Sequence, residues 1–96
     1  MDFSVYILFS DKLNKFYIGY SSNPEDRLLY HNDADRNTIW TKRGIPWKSF
    51  LIIPCNSESH AIKIEKHIKK MKSKVYIHNL AKYSEMVEKL QNKYLE

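Results

Sequence analysis

The fold of this 96-residue chain is decided by residues 4–20, which read SVYILFSDKLNKFYIGY. Apolar and aromatic residues alternate on both sides of a polar segment, Asp11–Asn14. Such alternation around a polar turn predicts two β-strands joined as a hairpin. We predict the strands over Ser4–Ser10 and Lys15–Tyr20.

The length of the turn sets the register of the hairpin. A four-residue loop pairs Ser10 with Lys15, and counting back along both strands then places Tyr6 opposite Gly19. Because side chains alternate across a strand, the hairpin has two unlike faces. The apolar face holds Val5, Ile7, Phe9, Phe16, Ile18 and Tyr20. The other face holds Tyr6, Leu8, Tyr17 and Gly19, and the missing side chain of Gly19 is expected to leave an open place for a ligand.

Composition limits the class of protein. The formal net charge of +5 favours a polyanionic partner, nucleic acid before membrane. The lone Cys55 excludes an internal disulfide framework and a cysteine-based zinc cluster, and we expect it to be a buried small residue or an unimportant surface thiol. The chain has no apolar run of about 20 residues, the length of a membrane span, and Asp2 lies where a signal peptide would be basic. We expect a soluble protein of the reducing cytoplasm.

The rest of the chain predicts helices around one further strand. Asn23 and Pro24 are typical of a helix start, and the first helix is predicted to end near His31. A loop follows over residues 32–41, and a third strand is predicted over Trp47–Ile53, closed by Pro54.

The second half of the chain predicts two helices. Ser57 is predicted to open a helix over Glu58–Met71, and Ser84 to cap a last helix over residues 85–94. The buried stripe of the first is expected to be Ala61, Ile64, Ile68 and Met71. The order β-β-α-β-α-α indicates an α/β (α+β) fold, a small antiparallel sheet flanked by helices, in a single domain over residues 1–96.

Several side chains are suited to phosphodiester chemistry. Arg27 and His31 are four residues apart on the first helix and share a face. A guanidinium matches the oxygens of a phosphate, whereas a tyrosine is a poor base at neutral pH unless a nearby cation lowers its pKa. Glu65 is the only acid between His60 and Lys74, a stretch with six lysines. One carboxylate is enough for Mg²⁺, which keeps several of its waters.

Together these residues resemble the GIY-YIG nuclease domain, and more closely its small single-domain, YhbQ-like branch. The resemblance covers about residues 3–75. Its motifs are Ser4-Val5-Tyr6, Tyr17-Ile18-Gly19, Arg27-x-x-x-His31, Trp40-Thr41-Lys42-Arg43, Trp47-Lys48, the helix around Glu65, and Met71-Lys72-Ser73-Lys74.

The resemblance implies an α/β fold on a three-stranded antiparallel sheet and metal-dependent hydrolysis of DNA. Glu65 would bind Mg²⁺ or Mn²⁺, and Arg27 would hold the scissile phosphate. Tyr6 and Tyr17 would help to activate the attacking water, with His31 supporting the proton transfer. The nucleic acid would contact Lys42, Arg43, Lys63, Lys66, Lys69, Lys70 and Lys72. We expect its specificity to be low or to be borrowed from a protein partner, because no targeting domain separate from this one is recognised in the sequence.

The sequence departs from the family pattern at three places. Ser4 stands where the first motif has glycine, and Ile64 replaces the arginine that often precedes the glutamate. The downstream asparagine of larger relatives has a candidate in Asn79. A second hypothesis is therefore a nucleic-acid-binding module that kept the fold without cutting, and a third is a protein-interaction domain.

Other residues have structural interpretations. His31 is a candidate for a helix-end histidine that interacts with the helix dipole, and Glu65 for a surface acid that pairs with Lys69 or Lys66. We expect Tyr30 to be a packing residue, and Trp40 and Trp47 to pack in the core or at its rim rather than stack on bases. His60, His67 and His78 show no metal-ligand spacing and are expected at the surface.

Overall fold

The computed structural model describes residues 2–96. Three strands, β1 (Phe3–Ser10), β2 (Lys15–Ser21) and β3 (Trp47–Cys55), form one antiparallel sheet in the order β2-β1-β3. The helices are α1 (Pro24–Asn32), α2 (Glu58–Met71), α3 (Lys74–Lys82) and α4 (Ser84–Lys93), with a short 3₁₀ helix at Trp40–Gly44. The predicted fold class, a three-stranded antiparallel sheet flanked by helices, is confirmed.

The hairpin has the predicted register. Ser10 pairs with Lys15, Leu8 with Tyr17 and Tyr6 with Gly19. The turn closes because the Oγ of Ser10 accepts from the backbone N–H of Leu13 at 3.1 Å, and Asn14 adopts a left-handed backbone with φ 52°. The two faces predicted from the alternation are therefore the two faces of the sheet.

Helices cover both faces of the sheet, so each face has its own core. Helices α2, α3 and α4 pack on the apolar face, where Val5, Ile7 and Ile53 meet Ile64 and Ile68. On the opposite face, Tyr6, Leu8 and Trp47 form a second cluster with Tyr17 and Leu28 of α1. The candidate site lies on this second face.

A β-bulge in β3 determines which side chains reach the second face. Leu51 pairs with Ile7 and Ser49 pairs with Leu8, so one extra residue, Phe50, lies between them. Because an extra residue reverses the alternation, Trp47 points to the tyrosine face although Ile53 points to the other. A regular strand would have placed both on the same face.

Two helix starts follow the predicted chemistry. The Oδ1 of Asn23 accepts from the N–H of Asp26 at 3.1 Å, with Pro24 in the first turn of α1. The Oγ of Ser57 accepts from the N–H of His60 at 3.0 Å, and α2 has the predicted bounds Glu58–Met71. Side-chain oxygens at these positions satisfy backbone donors that the helix itself leaves unpaired.

Three boundary predictions are wrong. Strand β3 continues through Pro54 to Cys55, which is possible because β3 is an edge strand where a missing N–H costs little. The predicted loop contains the 3₁₀ helix at Trp40–Gly44. Ser84 is the first residue of α4 rather than its cap, and Tyr83 at the cap position makes no side-chain capping bond.

The largest error is a missed helix. The predicted order β-β-α-β-α-α lacks α3, which begins at Lys74, the last lysine of the basic stretch around Glu65. The Oγ of Ser73 accepts from the N–H of Tyr76 at 3.1 Å and caps α3, whose Ile77 and Leu80 are buried. Met71, predicted to belong to the buried stripe of α2, is 46% exposed because α2 ends there and Lys72 takes a left-handed backbone.

Candidate active site

The two tyrosines of the hairpin lie together on the face covered by α1. The rings of Tyr6 and Tyr17 are 6.0 Å apart between centroids, and the His31 ring lies 4.4 Å from that of Tyr17. Tyr6 is 2% exposed, whereas Tyr17 is only half-buried. Tyr17 is therefore the phenol of the pair that solvent can reach.

The space above Gly19 is occupied, contrary to the expectation of an open place. A Cβ at Gly19 would lie 2.7 Å from both Cζ and Oη of Tyr6, and 3.0 Å from Cε1 of Tyr17. Because carbon atoms do not approach so closely, a side chain here would displace Tyr6. The missing side chain of Gly19 makes room for the end of the Tyr6 side chain on the neighbouring strand.

His31 connects Tyr6 to the loop after α1. Its Nε2 is 3.2 Å from the Oη of Tyr6, and its Nδ1 is 2.8 Å from the Oγ1 of Thr41. Asn37 extends the chain, since its Nδ2 donates to Oγ1 of Thr41 at 2.8 Å and to the carbonyl of His31 at 2.9 Å. His31 and Thr41 are fully buried and Asn37 is 2% exposed. We call this set, Tyr6, His31, Asn37 and Thr41, the buried relay.

The partners of Thr41 determine the tautomer of His31. Within residues 2–96 the Thr41 hydroxyl has two partners, the Asn37 amide, which donates to it, and Nδ1 of His31. The hydroxyl hydrogen therefore goes to Nδ1, because a buried donor without an acceptor is costly. Nδ1 accepts, and the ring hydrogen lies on Nε2, which donates to the Oη of Tyr6.

Burial shifts the protonation equilibria of the relay. It lowers the pKa of His31 to about 4, helped by the charge of Arg27, so the ring is neutral at pH 7. At neutral pH His31, in the last turn of α1, therefore carries no charge to interact with the helix dipole. Burial also raises the pKa of Tyr6 to about 12, against the lowering effect of the Arg27 guanidinium beside it.

Arg27 projects from α1 toward the phenols. Its guanidinium carbon lies 4.2 Å from the centre of the Tyr30 ring, and Tyr30 also packs edge-on against His31. Tyr30 thus has the packing role expected of it. A half-buried guanidinium held by an aromatic ring can direct its planar fork of donors at two oxygens of a phosphate.

Glu65 lies on α2 with a side chain that is 12% exposed. Its Oε1 is 3.3 Å from the Nζ of Lys69, one turn further along α2, as the structural interpretation expected. The side chain of Lys69 lines a cavity of about 210 Å³ together with Tyr17 and Trp40. Glu65 is thereby joined, through Lys69, to the edge of the sheet that carries Tyr17.

The donor set around Glu65 suits a divalent cation that keeps most of its waters. Within residues 2–96, no group of three or more histidine, cysteine or acidic side chains is positioned to hold a metal. A single carboxylate engaged by one lysine retains lone pairs for a hard cation, and Mg²⁺ commonly binds proteins through one or two carboxylates. Glu65 therefore fits Mg²⁺ or Mn²⁺, and does not fit a fully protein-coordinated zinc site.

The predicted nucleic-acid contacts divide between two sides of α2. Lys69 and Lys72 lie on the same stripe as Glu65 and line a groove of about 410 Å³ with Arg43. The other α2 lysines, Lys63, Lys66 and Lys70, line a separate groove of about 630 Å³ beside α4. Lys42 is exposed and borders neither of these grooves. The seven predicted contacts therefore do not form one continuous surface.

Two of the departures from the family pattern lie away from the tyrosines. Ile64 is fully buried in the core between α2 and the sheet. Asn79 is half-buried on α3, where its carbonyl accepts from the N–H of Tyr83 at 2.8 Å. Ile64 is therefore a packing residue, and its side chain has no place among the polar groups of the site.

Three further expectations concerned His60, the two tryptophans and Cys55. His60 is buried, contrary to prediction, because its Nδ1 accepts from the N–H of Asn56 at 3.1 Å and its Nε2 is 2.9 Å from the carbonyl of Gln91. Trp47 is 3% exposed and packs as expected, whereas Trp40 is 41% exposed beside it. Cys55 is buried.

Sequence reasoning missed two members of the relay. Asn37 and Thr41 lie in a segment without periodicity, and their roles depend on contacts with His31 that only the folded loop creates. Asn37 offered no local signal beyond its polarity, and Thr41 stood out only as part of the motif Trp40-Thr41-Lys42-Arg43.

Comparison with known proteins identifies the family of this chain. No curated protein and no solved structure matches the chain significantly. A family model, the GIY-YIG catalytic domain, matches residues 2–83, which contain the whole sheet, α1 to α3, the buried relay, Arg27 and Glu65. With most of its length covered by that model, the chain belongs to the GIY-YIG nuclease family.

Proposed function

We propose that this protein is a metal-dependent endonuclease that hydrolyses phosphodiester bonds of DNA. The observation that carries the proposal is the convergence of Tyr6, Tyr17, His31 and Arg27 on one face of the sheet. A hairpin that served only as scaffold would not need a buried imidazole bonded to a phenol beside a guanidinium. Placement in the YhbQ-like branch stays a prediction.

Arg27 is the proposed phosphate ligand. Its fork of donors matches the non-bridging oxygens of a phosphodiester, whose charge increases as water attacks. The Tyr30 ring under the guanidinium holds its position, which reduces the entropy lost on binding. The same positive charge lowers the cost of ionising a nearby phenol.

The phenols are proposed to orient the attacking water. Tyr17 is the accessible one, and Tyr6 links it to the buried relay. Because Nε2–H of His31 donates to the Oη of Tyr6, that oxygen receives a hydrogen bond that would strengthen as the phenol loses its proton. His31 is neutral and thus acts by orienting the phenol rather than by supplying a positive charge.

Glu65 is the proposed ligand of Mg²⁺ or Mn²⁺. A bound divalent cation would stabilise the developing charge of the leaving oxygen. The protein contributes the carboxylate, and Lys69 next to it offers a second positive charge on the same stripe of α2. We propose that the enzyme works in the cytoplasm and takes any stricter specificity from a partner protein.

A second candidate function is a nucleic-acid-binding module without cutting activity. It is favoured by the Tyr6 pKa of about 12, which keeps the phenol protonated at neutral pH and so unable to accept a proton from water, and by the ion pair that engages Glu65. Such a module would bind nucleic acid with a steep salt dependence but leave it intact.

Nicking of supercoiled plasmid DNA with and without Mg²⁺ or Mn²⁺ separates the two functions. We expect metal-dependent nicking that Glu65→Gln reduces at least about 100-fold, since one metal-ligating carboxylate is lost. Glu58→Gln, an exposed acid on the first turn of the same helix, is the matched control and should nick normally. Equal nicking by wild type and Glu65→Gln would indicate a contaminant and contradict the proposal.

A further inference from the structure

A groove beside the candidate site is lined by cations and no acids. It has a volume of about 410 Å³ and lies between β2, the 3₁₀ helix and the junction of α2 with α3. Its charged lining residues are Lys15, Arg43, Lys69, Lys72 and Lys74. Lys69 is partly neutralised by Glu65 at 3.3 Å, which leaves the positive charge of the other four available to a polyanion.

Trp40 forms an aromatic wall of this groove. It is 41% exposed, and its ring meets that of Trp47 edge-on at 5.7 Å. Trp47 is held in turn, since its indole N–H donates to the carbonyl of Thr41 at 2.6 Å. An exposed indole supported from behind is the platform on which an unpaired base can stack.

The groove is continuous with the tyrosine face. Trp40 and Lys69 line both this groove and the smaller cavity of about 210 Å³ that contains Tyr17. A strand bound along the cations would therefore enter the candidate site past Trp40. A paired base offers only its edges to a protein, so stacking on Trp40 requires an unpaired one.

We infer that this groove is a subsite for a single-stranded segment of nucleic acid, with one base stacked on Trp40 and the flanking phosphates along Lys15, Arg43 and Lys72. The inference rests on the proposed function, because it gives that site an unpaired strand as its substrate class. Duplex DNA without an unpaired end would be a poorer ligand, whereas a flap, gap or loop would fit.

Binding without cleavage tests the subsite. The probe is oligo(dT), used in the presence of EDTA so that no metal-dependent cleavage occurs. Its binding is measured by the quenching of tryptophan fluorescence and by the anisotropy of a labelled oligonucleotide at several salt concentrations. Trp47 is 3% exposed, so Trp40 is expected to supply the quenching. We expect Trp40→Ala to weaken binding about tenfold, as the loss of one stacked base does, and Trp40→Phe to bind well without quenching.

Matched charge removal tests the path of the strand. The variant Lys15→Gln/Arg43→Gln/Lys72→Gln removes three cations of this groove, and Lys66→Gln/Lys70→Gln/Lys93→Gln removes three from the groove beside α4. The first should reduce the slope of log K against log salt by about 2, at roughly 0.7 per single-strand phosphate contact. A larger reduction by the second variant would place the strand in the other groove and overturn the inference.

The outcomes also separate this inference from the proposed nuclease activity. Metal-dependent nicking with no Trp40 quenching, or with duplex of the same sequence quenching as strongly as oligo(dT), overturns the subsite while the activity stands. Quenching by oligo(dT) without any nicking supports the subsite and removes the activity. Circular dichroism of each variant checks that the fold is intact.

Discussion

At the scale of single residues, Thr41 controls the chemistry of His31 without lying on the accessible side of the site. Its hydroxyl accepts from Asn37 and donates to Nδ1, which leaves the His31 hydrogen on Nε2 facing Tyr6. An imidazole with the opposite tautomer would instead accept the phenol hydrogen at Nε2 and direct its own N–H at the Thr41 hydroxyl. Thr41 thus determines that His31 presents a hydrogen-bond donor, and not an acceptor, to Tyr6.

Thr41→Val removes the hydroxyl while keeping the shape of the side chain. We expect the free energy of unfolding to fall by about 1–3 kcal/mol, because buried polar atoms of His31 and Asn37 lose a partner. Urea unfolding with an unchanged m-value measures this loss. Nicking should fall as well, and Thr41→Ser should restore both. A Thr41→Val protein with normal stability and normal activity would contradict the relay.

The neutral state of His31 makes stability depend on pH. Unfolded His31 takes up a proton below about pH 6.5, whereas the folded residue stays neutral to about pH 4. Acid therefore favours the unfolded chain. His31 leaves the free energy of unfolding unchanged above pH 6.5 and lowers it by up to about 3 kcal/mol as the pH falls toward 4. Urea unfolding across this range should show the decline. In His31→Gln the decline should be smaller by that amount, and an identical pH profile in both proteins would exclude His31 as its source.

At the scale of elements, helical spacing places the packing residues of α2 and its charged residues on two different stripes of the helix. Ala61, Ile64 and Ile68 face the core, and Glu65, Lys69 and Lys72 lie on the adjoining stripe toward the edge of β2. The isoleucine before Glu65 therefore belongs to the first stripe. An arginine there would have to leave the core or bury its charge.

Ile64→Arg tests whether restoring the common family residue helps or harms this member. We expect a loss of about 3–5 kcal/mol in the free energy of unfolding, since an unpaired charge would enter the core. Ile64→Val is the control and should cost about 1 kcal/mol. Thermal unfolding followed by circular dichroism measures both. A stable Ile64→Arg protein with faster nicking would show that position 64 belongs to the site after all.

The elements that were predicted well have local causes. The register of the hairpin follows from the length of its loop, and α2 follows from a serine cap and apolar residues at helical spacing. Helix α3 was missed because its cap, Ser73, lies inside a lysine-rich run that resembles a tail. The bulge at Phe50 could not be predicted, because the alternation of residues in β3 does not indicate it. The bulge determines the face of the sheet to which Trp47 points.

The site was predictable only in its outline. The order and spacing of Tyr6, Tyr17, Arg27, His31 and Glu65 indicated the residues, and four of them meet on one face. Burial of His60 could not be predicted, because its Nε2 meets a carbonyl 31 residues later. The filled space above Gly19 also depends on the ring orientation of Tyr6, which alternation alone does not give.

At the scale of the whole molecule, α4 completes the core from outside the matched family region. The match ends at residue 83, and α4 begins at Ser84. Leu90 is 4% exposed in the main core, and the side chain of Gln91 donates to the carbonyl of Pro54 at 2.8 Å. Through these contacts α4 packs on the sheet and the other helices. Within residues 2–96, no helix is long and apolar enough to cross a bilayer.

Leu90→Ala should therefore reduce stability without changing the chemistry. We expect a loss of about 2–5 kcal/mol from the cavity and the lost burial. Differential scanning calorimetry measures the lower Tm, and kcat/KM for nicking should stay at the wild-type value at a temperature where the variant is folded. A changed kcat/KM under those conditions would mean that α4 contributes to the site.

The burial of the relay has a consequence for spectroscopy. The Nε2 hydrogen of His31 is shielded from water and bonded to a phenol oxygen, so it should exchange slowly and give a resolved downfield signal in a proton spectrum. His31→Gln would identify that signal by removing it. Because the His31 ring is bonded to Tyr6 through Nε2 and its centre lies 4.4 Å from that of the accessible Tyr17, the chemical shift of this one proton would report when a phosphate or a metal enters the site, before any bond is cut.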